Sequence, residues 1–354
     1  MSHFRHISLC NITYKIASKV LANRLKPLLP TIIFKSQSAF IPGRLITDNV
    51  LVAYEINHYL AHKYGGKAGY TALKLDLSKA YDRVEWIFLE RVMLRLEVLS
   101  HLISRAEESG DIWGVAVSCR GPRVSHLLFA DDTLIFCQAS LAAFQCVERL
   151  LDQFEKASGL IVNLEKLSVV FSHNTSIDLR EMLAWVLGVQ VVNRHEKYLG
   201  LSAAIGRSKK SLMANFLWHN KGVKKIHWLA WDKVCVRREE GGLGLRKLYA
   251  FNRAMLAKQL WRMIDNPNSL ISRIWKQRYY PSTNWQSVTV SVGCSFTWRS
   301  VLASRDVIST GMRWKIGSGQ NVKIWSDRWI PRPLTFQVIT TPNKWFGACS
   351  EMKM

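Results

Sequence analysis

No stretch of this 354-residue chain stays apolar for the ~18 residues that a membrane-spanning helix needs. The opening residues, MSHFRHISLCNITYKIASK, lack the long apolar core of a secretion signal, so no export is expected. Cysteine is sparse and unpatterned, with seven residues at 10, 119, 137, 146, 235, 294 and 349 and no CxxC pair. An odd, scattered set argues against a disulfide framework and for free thiols in a reducing compartment; no zinc site is evident. No Ser/His/Asp or Cys/His set has spacing suited to nucleophilic catalysis. The run GLGLRK is too short a signal for a phosphate loop. There are no internal repeats and no low-complexity linker.

Acid is the scarcer charge. The chain holds 49 Lys and Arg against 26 Asp and Glu, a net charge of +23. The excess is uneven: +4 over residues 1–200 (23 basic, 19 acidic) and +19 over residues 201–354 (26 basic, 7 acidic). Eleven of the 14 tryptophans also follow residue 217. A basic, Trp-rich half suits a polyanion, because cations neutralise phosphates and aromatic faces stack on bases. A solvated basic surface over a Trp-rich core accounts for the same composition.

With 48% hydrophobic residues the chain has material for a sizeable core and two or three domains. Residues 11–29 repeat apolar side chains at helical spacing, with Pro27 and Pro30 at the end. QSAFIPGRLITDN is turn-rich and leads into a second helix through Val50, Ala53, Tyr54, Ile56 and Leu60, broken at Gly65-Gly66. TALKLDL (71–77) alternates, with Leu73, Leu75 and Leu77 on one face and Lys74 and Asp76 on the other. A helix carrying Val84, Phe88, Val92 and Leu96 is expected next. Residues 114–136 read as strands. A helix with Leu141, Phe144, Val147, Leu151 and Phe154 stops at Ser158-Gly159, and SVVFS and KYLGL read as short strands. After about residue 211 the texture changes to one long helix ended by Asn266-Pro267, then short Trp-bearing pieces without a clear period.

One stretch stands out. SHLLFADDTLIF sets Asp131 beside Asp132 between two apolar runs. Two such charges about 4 Å apart repel by about 4 kcal/mol at an effective dielectric near 20. Water, protonation or a cation must offset that. An Asp-Asp pair at a hairpin tip is also ordinary turn chemistry. If the strand ending at Asp76 neighbours this hairpin, three carboxylates converge into a hard, oxygen-rich site suited to Mg²⁺ and to phosphoryl transfer. His126 reads as a packed core histidine rather than a ligand.

KLDLSKAYDRVEW followed by HLLFADDTLIF resembles the metal-binding motifs of reverse transcriptases from LINE-type (non-LTR) retrotransposons of plant genomes. ISLCNITYKIASKVLANRLKPLLP and QSAFIPGRLITDNVLVAYEI resemble that family's fingers segments. SGLIVNLEKLSVVFS resembles a palm segment and KYLGL the primer grip. IHWLAWDKVCVRREEGGLGLRKLYAFNRAMLAKQLWRMI and the Trp-rich stretch after it resemble the C-terminal zinc-binding region of such proteins. The resemblance implies an α+β fold: an incomplete right-hand polymerase, fingers and palm, over residues 1–205, with a smaller basic, Trp-rich region over 211–354. It implies an RNA-directed DNA polymerase acting by two-metal nucleotidyl transfer with Mg²⁺ or Mn²⁺. Asp76 and Asp131 would hold the metal, with Asp132 as a further catalytic carboxylate. Gln37 and Arg44 would lie near template and incoming nucleotide, and Lys166 would serve the pyrophosphate leaving group. RNA template, DNA primer and deoxynucleotides would be the partners, in the nucleus, as the lineage implies, or in the cytoplasm.

The chain departs from that pattern. Only 55 positions separate Asp76 from Asp131. MLRLEVLSHLISRAEESG jumps, near residues 95–97, past the family's RQGDPLSP-like segment, which packs under nucleotide and template. A second jump falls near Lys210-Ser211, and the family's Cys/His cluster is not reached. Apolar faces that packed on missing parts would stand open. In-line transfer tolerates little misplacement, so activity is expected to be impaired or lost. A non-catalytic nucleic-acid-binding protein and a degenerate retroelement product are the alternatives.

Overall fold

The computed structural model describes residues 11–34, 36–75, 77–78, 98–130, 132–158, 161–163, 167–195, 197–202, 235–244, 247–313 and 328–330. Asp76, Asp131 and Lys166, and the helix expected around Val84–Leu96, lie outside these residues. The fold is mixed α+β and divides into two compact units.

The first unit is built on a five-stranded sheet. Its central strand is β1 (Tyr70–Leu75). A two-residue strand, β2 (Leu77–Ser78), follows it, and β3 (Val115–Ala116) pairs with β4 (Arg123–Val124) as a small hairpin. Next come β5 (His126–Phe129), β6 (Asp132–Gln138), β7 (Ile161–Val162), β8 (Ser168–Phe171) and β9 (Gln190–Val191). The large sheet runs β5-β6-β1-β8-β9. All its pairs are antiparallel except the last, which is parallel. The hairpin β10 (Lys197–Tyr198) and β11 (Leu201–Ser202) closes over Leu199 and Gly200, both at positive φ.

Helices cover both faces. In chain order the first helices of this unit are α1 (Ile12–Leu25) and α2 (Leu29–Ile32), which bury no residue, then α3 (Ile46–Ala61), α4 (Val98–Glu108), α5 (Leu141–Ser158) and α6 (Ile177–Leu187). Leu73 and Leu75 of β1, Ile135 and Cys137 of β6, and Val169 and Phe171 of β8 share one core with Ile103, Phe144, Val147 and Leu183 of helices α4, α5 and α6. Ala72, Leu134, Phe136 and Val170 have the opposite parity and are buried too. The helix α3 runs beside β5 and β1 and buries Val52, Ala53, Ile56 and Leu60. Strand β1 is therefore buried on both faces as far as Lys74, where alternation had suggested one polar face. Each leucine so buried contributes about 2 kcal/mol.

Local signals set the helix ends. Asn11 caps α1 by accepting from the Tyr14 amide at 2.8 Å. The helix stops at Leu25, four residues short of the expected end, because Pro27 follows at once. Its Ile16, Val20 and Leu21 are exposed. Gly188 ends α6 in the left-handed conformation that a glycine reaches without strain. The described cysteines, 119, 137, 146, 235 and 294, are free thiols.

The aperiodic stretch after Asn266 contains helices after all: α8 (Leu270–Tyr279), α9 (Phe296–Leu302) and α10 (Arg305–Gly311), which follow α7 (Leu248–Asp265). They are short, and ten residues or fewer give periodicity little to register. Residues 268–282 and 295–297 belong to the first unit. There α8 packs on α3, burying Ile271, Ile274 and Trp275. The fully buried Glu55 carboxylate of α3 accepts from Trp275 Nε1 (3.0 Å), Tyr279 Oη (2.7 Å) and Ser295 Oγ (2.5 Å). A buried charge is tolerated only when hydrogen-bonded in this way. In the second unit α7 lies against α10, joined by an Arg253–Asp306 ion pair.

Replacing Glu55 by Ala strands two buried donors, Trp275 and Ser295, and one half-buried donor, Tyr279. The variant should lose about 3 kcal/mol or more in urea unfolding, with Glu55→Gln intermediate, since the amide oxygen still accepts. An unchanged unfolding midpoint for Glu55→Ala would contradict the packing of α8 on α3.

Candidate active site

The β5–β6 hairpin carries Asp132. Phe129 pairs with Asp132 where the hairpin closes. Ala130 sits at φ +54°, as a tight primed turn requires of its first position. Asp132 is half-buried at the start of β6. In the neighbouring strand, Leu75 pairs with Thr133. The last residue of β1 therefore lies one register step from Asp132, and the chain continues from it into position 76.

Gln37 holds this tip. Its Oε1 accepts from the Ala130 amide at 3.2 Å and from the Ala39 amide at 3.0 Å. Around it, residues 36–38 run beside the β5 edge: the Ser38 amide donates to the Leu128 carbonyl (3.1 Å) and the Leu128 amide to the Ser36 carbonyl (3.0 Å). Asn49, buried on α3, donates to the same Leu128 carbonyl at 2.9 Å and accepts from Ser38 Oγ at 2.6 Å. Arg44 donates to the carbonyls of Ile33 (2.9 Å) and Gln37 (2.6 Å), and to that of Phe34. Gln37 and Arg44 thus meet in one loop beside the hairpin, and both have contacts that shape the backbone.

Sequence reasoning missed Asn49, Ser38 and Tyr198. Asn49 had a signal: positions 49, 53, 56 and 60 fall on one helical stripe whose other members are apolar, so a polar residue there must find a buried partner. Tyr198 is 4% exposed. Burial is the main cause that pushes its phenol pKa well up; Asn49 opposes the shift and the Asp132 charge adds to it. This brings the KYLGL hairpin to the Asp132 strand, although 66 positions separate them in the chain.

His126 is a core histidine, as read. Its Nε2 pairs with Ser100 Oγ at 2.6 Å and its Nδ1 with Ser125 Oγ at 3.0 Å; burial pushes its pKa down to about 4. His195 bridges the Ala72 carbonyl (3.2 Å) and Ser168 Oγ (3.0 Å). Its pKa is also pushed down to about 4, by burial first and by the Lys74 charge, against the Ala72 carbonyl. Among the described residues no group of three or more His, Cys, Asp or Glu is placed to hold a metal, and no helix is long and apolar enough to cross a membrane.

Residues 1–109 match the reverse transcriptase (RNA-dependent DNA polymerase) family. Together with the transposon-related names among the relatives, this match supports a retroelement reverse transcriptase, and enzymes of that family generally work with divalent metals such as Mg²⁺. It is 40% identical over 132 residues to an uncharacterized mitochondrial protein of Arabidopsis thaliana, covering 37% of this chain and 86% of that protein. It is 36% identical over 132 residues to a putative ribonuclease H protein of the same plant, covering 34% of this chain and 20% of that protein. With the transposon TX1 uncharacterized 149 kDa protein of Xenopus laevis it shares 37% identity over 89 residues, 25% of this chain and 7% of that one.

Both histidines are held neutral in the fold and take up protons once unfolded. Their contribution is complete above about pH 6.5 and is lost as pH falls from 6.5 towards 4, by about 3 kcal/mol each at pH 4. Urea midpoints measured from pH 7 down to 4.5 should fall steeply, and His126→Gln should remove about half of that slope. A flat profile in the parent protein would contradict the buried, neutral imidazoles.

Proposed function

We propose that this chain is the remnant of a right-hand polymerase, fingers and palm, descended from a LINE-type element, with a basic Trp-rich C-terminal region. In this reading Asp76, Asp131 and Asp132 hold Mg²⁺ or Mn²⁺ for RNA-templated DNA synthesis, and that activity is impaired. The observation that carries it is the register of β1 against β6. Leu75 opposes Thr133, and Phe129 opposes Asp132. That register supports a reading in which the carboxylates at positions 76, 131 and 132 serve one site.

The donor set is all carboxylate oxygen, which fits a hard divalent cation. Asp76, Asp131 and Asp132 would hold such ions, which would supply charge neutralisation of the phosphates and activation of a primer 3′-hydroxyl. The protein's own part is placement. Gln37 fixes the turn by holding the Ala130 amide, and Asn49 fixes the strand behind it through the Leu128 carbonyl. Lys166 is the candidate proton donor to the leaving pyrophosphate. Arg44 acts by shaping the loop that carries Gln37.

Impairment follows from the 55-position separation of Asp76 and Asp131, too short for the wall that supports nucleotide and template. A displacement of ~1 Å in such a site costs about 100-fold in rate. The +19 charge of residues 201–354 favours a second reading, nucleic-acid binding without synthesis.

Primer extension on an RNA template separates the two. The polymerase reading expects weak, Mg²⁺-dependent synthesis that Asp131→Ala abolishes. Salt-sensitive RNA binding with no extension, even with Mn²⁺, would leave the binding reading alone.

A further inference from the structure

Phe40 is held in a conformation that costs the fold twice. Its backbone lies at φ +62°, the left-handed region that bulky side chains avoid, and its ring is 87% exposed to water. Its neighbours Ala39 and Ile41 are buried at 4% and 5%. The loop around it is tightly tied. Gln37 Oε1 takes the Ala39 amide, Arg44 gathers carbonyls at 33, 34 and 37, and the Arg44 amide closes a turn onto the Ile41 carbonyl at 3.2 Å. Strain of this kind persists only where the surroundings over-determine the backbone, and it concentrates where a side chain must be presented. The same Gln37 oxygen holds the tip of the Asp132 hairpin, so the ring is borne by the loop that shapes the candidate active site.

The charge of the chain segment that carries it points to the ligand. Residues 1–47 contain seven Lys and Arg and no Asp or Glu. Lys15, Lys19 and Arg24 stand exposed along α1. A cationic, acid-free segment attracts phosphates, and a rigid aromatic face within it offers a base a stacking partner without sequence preference.

We propose that Phe40 is a base-stacking platform for a nucleic-acid strand entering beside the Asp132 hairpin. This rests on the polymerase reading above and adds to it the residue that grips the strand.

The test uses the full chain without divalent metal, a fluorescent 12-residue RNA, and a ribose-phosphate strand of equal length without bases. Phe40→Ala should weaken RNA binding about tenfold. It should leave the base-free strand and the salt dependence of binding unchanged, and Phe40→Trp should restore affinity. The exposed ring contributes little to folding, so Phe40→Ala should melt no lower than the parent; Phe40→Gly, which relieves the left-handed strain, gives a second ring-free variant. RNA affinity within twofold of the parent in both variants overturns the platform, as does an equal loss on the base-free strand, which a protein-docking or purely structural role would allow. A loss confined to competition by free deoxynucleoside triphosphate would move the base from strand to nucleotide and overturn the strand assignment. If the parent protein shows no salt-dependent RNA binding, the polymerase reading itself falls. If it binds but ignores the ring, only the platform falls.

Discussion

Backbone pairing of β1 with strands on both sides is the constraint from which the site follows. From Thr71 to Lys74 each residue is registered against β6 on one edge and β8 on the other. A strand hydrogen-bonded on both edges and buried on both faces has little room to slip, because a shift of one residue would send Leu73 and Leu75 away from their core. The position of its C-terminal end beside Asp132 is therefore as well determined as the core itself.

Polar groups finish what the sheet begins. Gln37, Ser38 and Asn49 form one set of hydrogen bonds around the Leu128 carbonyl and the Ala130 amide, mostly buried. In a low-dielectric setting such a set is worth making only when complete, and it then admits one arrangement of loop, helix and hairpin. Glu55 does the same for the far end of α3, where three donors reach it from residues 275, 279 and 295. The basic C-terminal half consequently contributes a helix to the first unit, although its composition sets it apart.

Much of the fold was legible from residue patterns. The helix at 141–158 and the strand at 168–171 have the expected extents, because their apolar spacing is long or strongly β-branched. The hairpin at Asp131-Asp132 was legible because apolar runs flank it on both sides. His126 was read correctly since a histidine between buried strand residues has ring nitrogens that nearby serines satisfy. The short helices after residue 266 were not legible. Neither was the double burial of β1: its Thr71-Ala72 pair carries too little apolar bulk to announce a second covered face.

By itself, the sequence determined the periodic elements, the acidic motif and the reverse-transcriptase lineage, since these depend on neighbours within a few positions or on residue identity alone. Tertiary structure decided that Gln37 would serve a turn 93 positions away, that Asn49 would hold a strand carbonyl, and that Trp275 would meet Glu55 across 220 positions. Periodicity states which side of an element is buried. It does not state which distant donor will satisfy the polar group found there, and that is settled only when the surfaces pack.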